Sequence, residues 1–105
     1  MNKNKSLYDI QKIVDNWITK HGGYWHPLAM LGALIEELGE LSREINSKEG
    51  FKPKKDSRIK DNVGEELADL LFALICIANH YKVDLEEEVL KSIEKFNNRD
   101  SYRFE

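Results

Sequence analysis

Apolar residues recur at helical spacing in four stretches of the chain, and no stretch alternates convincingly as a half-buried strand would. In the first, Leu7, Ile10, Ile13, Val14, Trp17 and Ile18 share a face, Ser6 stands where an N-cap belongs, and Gly22-Gly23 is a stop. This pattern predicts an amphipathic helix from about Leu7 to His21, with Trp17 in the core. The turn "GGYWH" leads to Pro27, which suits a first helical turn, and a second helix follows to about Ser47 with Leu31, Leu34, Leu38, Leu41 and Ile45 as its core stripe. A third helix is predicted from near Asn62, where Asn62 and Glu65 have the spacing of a capping pair, to about His80. The fourth starts after Asp84 and carries Leu85, Val89, Ile93 and Phe96 toward the core. Between the second and third, Lys48 to Lys60 holds Gly, Pro and six lysines and arginines, so it reads as a loop. The expected fold is all-α, a four-helix bundle.

Length and composition narrow the picture. At 105 residues the chain is expected to form a single domain, residues 1–105, whose core is small enough to benefit from a partner chain. Leu70 to Ala78 is apolar on every face of the third helix, which predicts burial against a second copy. A net charge of −3 with 41% apolar residues excludes a surface built to coat a nucleic acid polymer. The lone cysteine, Cys76, lies in the apolar run, reads as a core residue, and fits a reducing compartment. The start "MNKNKSLYDI" lacks the apolar stretch of a signal peptide, and the longest uncharged run, Leu70 to Tyr81, is shorter than the roughly 20 residues that span a bilayer. A cytoplasmic protein without membrane contact is expected.

The carboxylates change the picture more. "EELGELSREI" places Glu36, Glu37, Glu40 and Glu44 in a leucine-rich helix, and "EELADLLFALICIA" places Glu66 and Asp69 at the head of an otherwise uncharged run. Glu37, Glu40 and Glu44 fall along one flank of the second helix, and Glu66 lies between Leu70 and Ala73 on the third. Unpaired buried carboxylates cost several kcal/mol. Acids in the first turns of a helix are favoured by about 0.3–1 kcal/mol, which accounts for Glu65 but poorly for Asp69, and leaves the mid-helix acids of the second helix unexplained. Residues three apart project side by side, so Glu37 with Glu40 and Glu66 with Asp69 make two jaws that antiparallel packing can bring face to face. Four hard oxygen donors without histidine suit Mg²⁺, or Mn²⁺, and disfavour a di-iron oxidase, which uses Glu-x-x-His.

"EELGE" followed by "EELAD", with "KFNNR" after them, resembles the E-E-x-x-E and E-x-x-D motifs of the all-α MazG-type nucleotide pyrophosphohydrolases over about Pro27 to Arg99. The resemblance implies a MazG-like bundle completed as a dimer or a dimer of dimers. It implies Mg²⁺-dependent hydrolysis of nucleoside triphosphates, NTP or dNTP, to the monophosphate and pyrophosphate. Glu37, Glu40, Glu66 and Asp69 would be the metal ligands, with Glu36 assisting metal or water. Lys95 and Arg99 would hold phosphates, with Asn98 standing where relatives carry an arginine. For the base, Trp25 and His26 before the second helix offer flat rings, and Lys54, with Lys52 and Lys55, belongs either to a solvated loop or to one that closes on a triphosphate. The competing reading is a catalytically idle helical module that binds a protein partner or senses a nucleotide.

Overall fold

The computed structural model describes residues 4–50, 60 and 62–100, with Asp100 described by its backbone alone. Among them are four helices and no strand: α1 (Leu7–Lys20), α2 (Pro27–Lys48), α3 (Val63–His80) and α4 (Leu85–Lys95), which runs into a π-helical turn, Phe96–Asp100. The predicted all-α, four-helix fold is therefore the observed one. The predicted loop from Lys48 falls mostly outside the described residues, and Lys54 with it.

The helix starts follow from local chemistry. Ser6 Oγ accepts the Asp9 N–H while the Asp9 carboxylate accepts the Ser6 N–H, closing a capping box on α1. Asn62 caps α3 by accepting the Glu65 N–H and donates its side-chain amide to the Glu65 carboxylate. Gly22 and Gly23, at φ of 106° and 86°, make the α1–α2 turn in a region where a Cβ is strained. Tyr24 closes that turn by donating its hydroxyl to Asp15.

Helix α2 packs chiefly on α3, and α1 lies against both α3 and α4. The core is Val14, Met30, Ile75 (1% exposed) and Cys76, with Leu7, Ile18, Tyr24, Ile77 and Leu85 packed around it. Burial of Cys76 agrees with the sequence reading. Three other expectations are corrected. The buried seam of α2 is Met30, Leu34, Glu37, Leu41 and Glu44, while Leu31, Leu38 and Ile45 stand exposed on another face. Periodicity fixed the spacing but not the face, because α2 carries two leucine-rich stripes and only one meets α3. On α1 the side facing α3 is Leu7, Gln11, Val14 and Ile18, so Trp17, predicted as core, is 52% exposed. On α4, Leu85 packs inward but Val89, Ile93 and Phe96 are exposed.

Gln11, buried at the α1 seam, ties that helix to the α3–α4 turn. Its side-chain amide donates to Asn79 Oδ1 at 3.0 Å and the Val83 carbonyl at 2.9 Å, and its Oε1 accepts the Leu85 N–H at 2.8 Å. Asn79 returns a bond to the Gln11 carbonyl.

Candidate functional site

Antiparallel packing of α2 on α3 brings the two acidic motifs together. Glu37, Glu66 and Asp69 each place a carboxylate oxygen within 4.8 Å of the others. Glu37 and Glu66 occupy positions in the α2–α3 seam that would otherwise hold apolar side chains, and Asp69, one turn beyond Glu66, is exposed at the mouth. One oxygen of Glu66, Oε2, is buried and has no hydrogen-bond partner among the described residues. Burial first, and then the charges of Glu37, Asp69, Glu40 and Glu65, push the Glu66 carboxyl above its ordinary range. A buried oxygen without a donor, beside two further carboxylates, is electrostatically incomplete. A divalent cation would supply what is missing, and hard oxygen donors of this kind fit Mg²⁺ or Mn²⁺.

Glu40 stands apart from the three. It is exposed, and its carboxylate lies 3.9 Å from Arg43. Glu36 is likewise exposed and outside the cluster. Glu44 faces the seam but spends an oxygen on the Asn62 backbone N–H at 3.0 Å.

Beside the acids opens a cavity of about 510 Å³. Glu37 and Asp69 line it at one side, Met30, Ala73 and Cys76 form apolar wall, and Trp17, His21, Trp25 and Phe72 supply rings. Trp17 stacks on His21 with ring centroids 4.1 Å apart and meets Phe72 edge-on at 6.1 Å. His21 is held in that pose by a 2.7 Å contact between Nδ1 and the Trp17 carbonyl, which requires the proton on Nδ1. Sequence reasoning assigned Trp25 to this role, and it does line the cavity. It missed Trp17 and His21, whose spacing of four residues across the last turn and C-cap of α1 was the available signal. His26 is elsewhere: it is the N-cap of α2, with Nδ1 accepting the Leu28 N–H at 3.1 Å, and does not line the cavity.

The basic residues are also elsewhere. Lys95, Asn98 and Arg99 are exposed at the end of α4, which packs on α1, and none of them lines the cavity. Lys95 Nζ lies 5.0 Å from the Phe96 ring centroid.

Comparison with known proteins gives the family of the fold. The family profile of the MazG nucleotide pyrophosphohydrolase domain matches residues 26–104. An uncharacterised protein of Bacillus subtilis (strain 168), YpjD, is 46% identical over 101 residues, covering 95% of this chain and 91% of that protein. The crystal structure of YPJD from Bacillus subtilis superposes with a TM-score of 0.82 at 45% identity, covering 94% of this chain and all of that one. That of a Bacillus-conserved MazG protein, a nucleotide pyrophosphohydrolase, superposes with a TM-score of 0.79 at 41% identity, covering 94% and 97%. The chain belongs to the MazG nucleotide pyrophosphohydrolase family. It is accordingly a hydrolase acting on phosphoanhydrides, and the reading as an idle helical module gives way. No helix among the described residues is long and apolar enough to cross a membrane.

Proposed function

We propose that the protein hydrolyses nucleoside triphosphates between the α and β phosphates, releasing the monophosphate and pyrophosphate with Mg²⁺ as the metal. The observation that carries this reading is the convergence of Glu37, Glu66 and Asp69 around a buried, unpartnered oxygen, at the side of a cavity walled by rings. Glu37, Glu66 and Asp69 would hold the cation, and Glu40 and Glu36, exposed on α2, would assist by orienting water. A divalent cation so held neutralises phosphate charge and lowers the pKa of a bound water. Trp17, His21 and Trp25 hold the base by stacking, which tolerates several bases because each has a π-face. With a cation held by the acids the triphosphate would turn toward them, away from the apolar wall of Met30, Ala73 and Cys76, which cannot solvate phosphate.

The working unit is a homo-oligomer of single-domain chains. Leu28, Leu31, Ile35, Leu38 and Ile45 recur on α2 at alternating three- and four-residue steps, broken only by Ser42, and all are exposed. Leu67, Leu71 and Leu74 repeat the pattern on α3. An uncovered heptad stripe on each of two antiparallel helices suits packing against the same pair from a second copy. Lys95, Asn98 and Arg99, which do not line the cavity of their own chain, grip phosphates at the site of a neighbouring copy. A buried, unpaired Cys76 supports a reducing, cytoplasmic setting.

Phosphorus NMR of the reaction with a panel of canonical, deoxy and oxidised triphosphates tests the proposal. The expected products are monophosphate and pyrophosphate, formed with Mg²⁺ and not in EDTA. Release of orthophosphate, or undiminished turnover in EDTA, contradicts it.

A further inference from the structure

Glu44 is a buried carboxylate, 7% exposed, that the metal cluster does not include. Its Oε2 accepts the backbone N–H of Asn62 at 3.0 Å, and Asn62 is the N-cap of α3. A carboxylate accepting a backbone N–H at a helix N-terminus makes a charge-assisted, directional bond, which the apolar contacts of the seam cannot supply.

Glu37 and Glu44 lie seven residues apart in the α2 seam, and Asn62 and Asp69 lie seven residues apart on α3. On antiparallel helices rising about 1.5 Å per residue, both intervals are roughly 10 Å. Pairing Glu44 with Asn62 at one end therefore brings Glu37 opposite Asp69, with Glu66 one turn before it, at the other. The other seam positions of α2, Met30, Leu34 and Leu41, are apolar, as are Leu70, Ala73 and Ile77 on α3, so a slipped pairing would still bury most of them. Setting register is the best-attested use of a buried polar group.

We infer that Glu44 is a positioning residue: its bond to the Asn62 N–H sets the register of α3 on α2 and so brings Glu66 and Asp69 to Glu37. The inference rests on the proposed metal role of those three acids and goes beyond it, because it names a residue outside the cluster on which its geometry depends.

Mn²⁺ titration of the full chain tests it, beside amide exchange at Asn62. Glu44→Ala should retain helicity yet raise the Mn²⁺ dissociation constant about tenfold or more, because loss of register draws Glu66 and Asp69 away from Glu37. Glu44→Gln keeps an oxygen for the Asn62 N–H, so it should bind Mn²⁺ within a few-fold of wild type and keep the amide protected. Val14→Ala, a core truncation on α1, should lower stability without weakening Mn²⁺ binding. Wild-type affinity in Glu44→Ala, equal losses in Glu44→Gln and Glu44→Ala, or an equal loss in Val14→Ala would each overturn the inference. If Glu44→Ala does not fold, Glu44→Asp decides: its shorter carboxylate should weaken Mn²⁺ binding, and unchanged affinity would overturn the latch. Failure of the wild type to bind Mn²⁺ would instead remove the metal reading itself, while Asn62 exchange in the same variants still reports whether the latch bond forms.

Discussion

The buried Oε2 of Glu66 governs the energetics of the metal-free site. Burial and like-charged neighbours raise the Glu66 pKa above 4.5 in the folded state, so the folded protein binds that proton more tightly than the unfolded chain. The resulting stability is complete at pH below the unfolded value and is lost as pH rises through the folded one. Thermal melting in EDTA should therefore show a stability decrease over that window, and Glu66→Gln should flatten it and melt higher at neutral pH. A pH profile unchanged by Glu66→Gln would show that the carboxylate is not strained. Divalent cation should reverse the effect above the folded pKa, because a ligand of the native state at a hundred times its dissociation constant adds about 2.7 kcal/mol. Tyr24 gives a second reading of local environment: burial and then the bond to Asp15 push its pKa up to about 12.

Between elements, the Gln11 network joins α1 to the α3–α4 turn through three side-chain hydrogen bonds. Gln11→Leu leaves the Leu85 N–H and the Val83 carbonyl without those partners, so denaturant unfolding should show a loss of about 2–3 kcal/mol. Turnover by the folded fraction should be nearly unchanged, since Gln11 does not line the acidic cavity. A neutral substitution would mean that water replaces the amide without cost. Gln11 was not legible in the sequence because a polar residue on an apolar stripe looks like an interruption, and its partners lie about seventy residues away. The helices and their caps were legible, because Ser6, Pro27, Asn62 and Asp84 act on backbone groups within a turn. Glu37, Glu66 and Asp69 were legible for the same kind of reason: spacing on one helix places a pair, and closing the hairpin brings three of the four paired acids together, with Glu40 left exposed beside Arg43. Which leucine stripe of α2 turns inward was not legible, since both stripes have the period of a seam and the choice depends on where α3 lies. Trp17 was misplaced by the same ambiguity, and α4's basic end was matched to phosphates without its distance from the cavity being readable.

For the molecule as a whole, the exposed stripes on α2 and α3 are long apolar faces that no other described helix covers. Analytical ultracentrifugation at micromolar concentration should give a dimer or larger, and Leu38→Glu with Leu31→Glu, on the exposed stripe of α2, should shift it toward monomer. A stable helical monomer of the wild type would contradict the assembly. The three clustered acids remain the centre of the account. Amide substitution keeps their shape and removes a charged ligand, so the most direct measurement is Mg²⁺-dependent pyrophosphate release by Glu37→Gln, Glu66→Gln and Asp69→Asn, with circular dichroism confirming the helices. Each should fall by about two orders of magnitude or more. Near-wild-type release by Glu66→Gln and Asp69→Asn would contradict the claim that these carboxylates hold the catalytic metal.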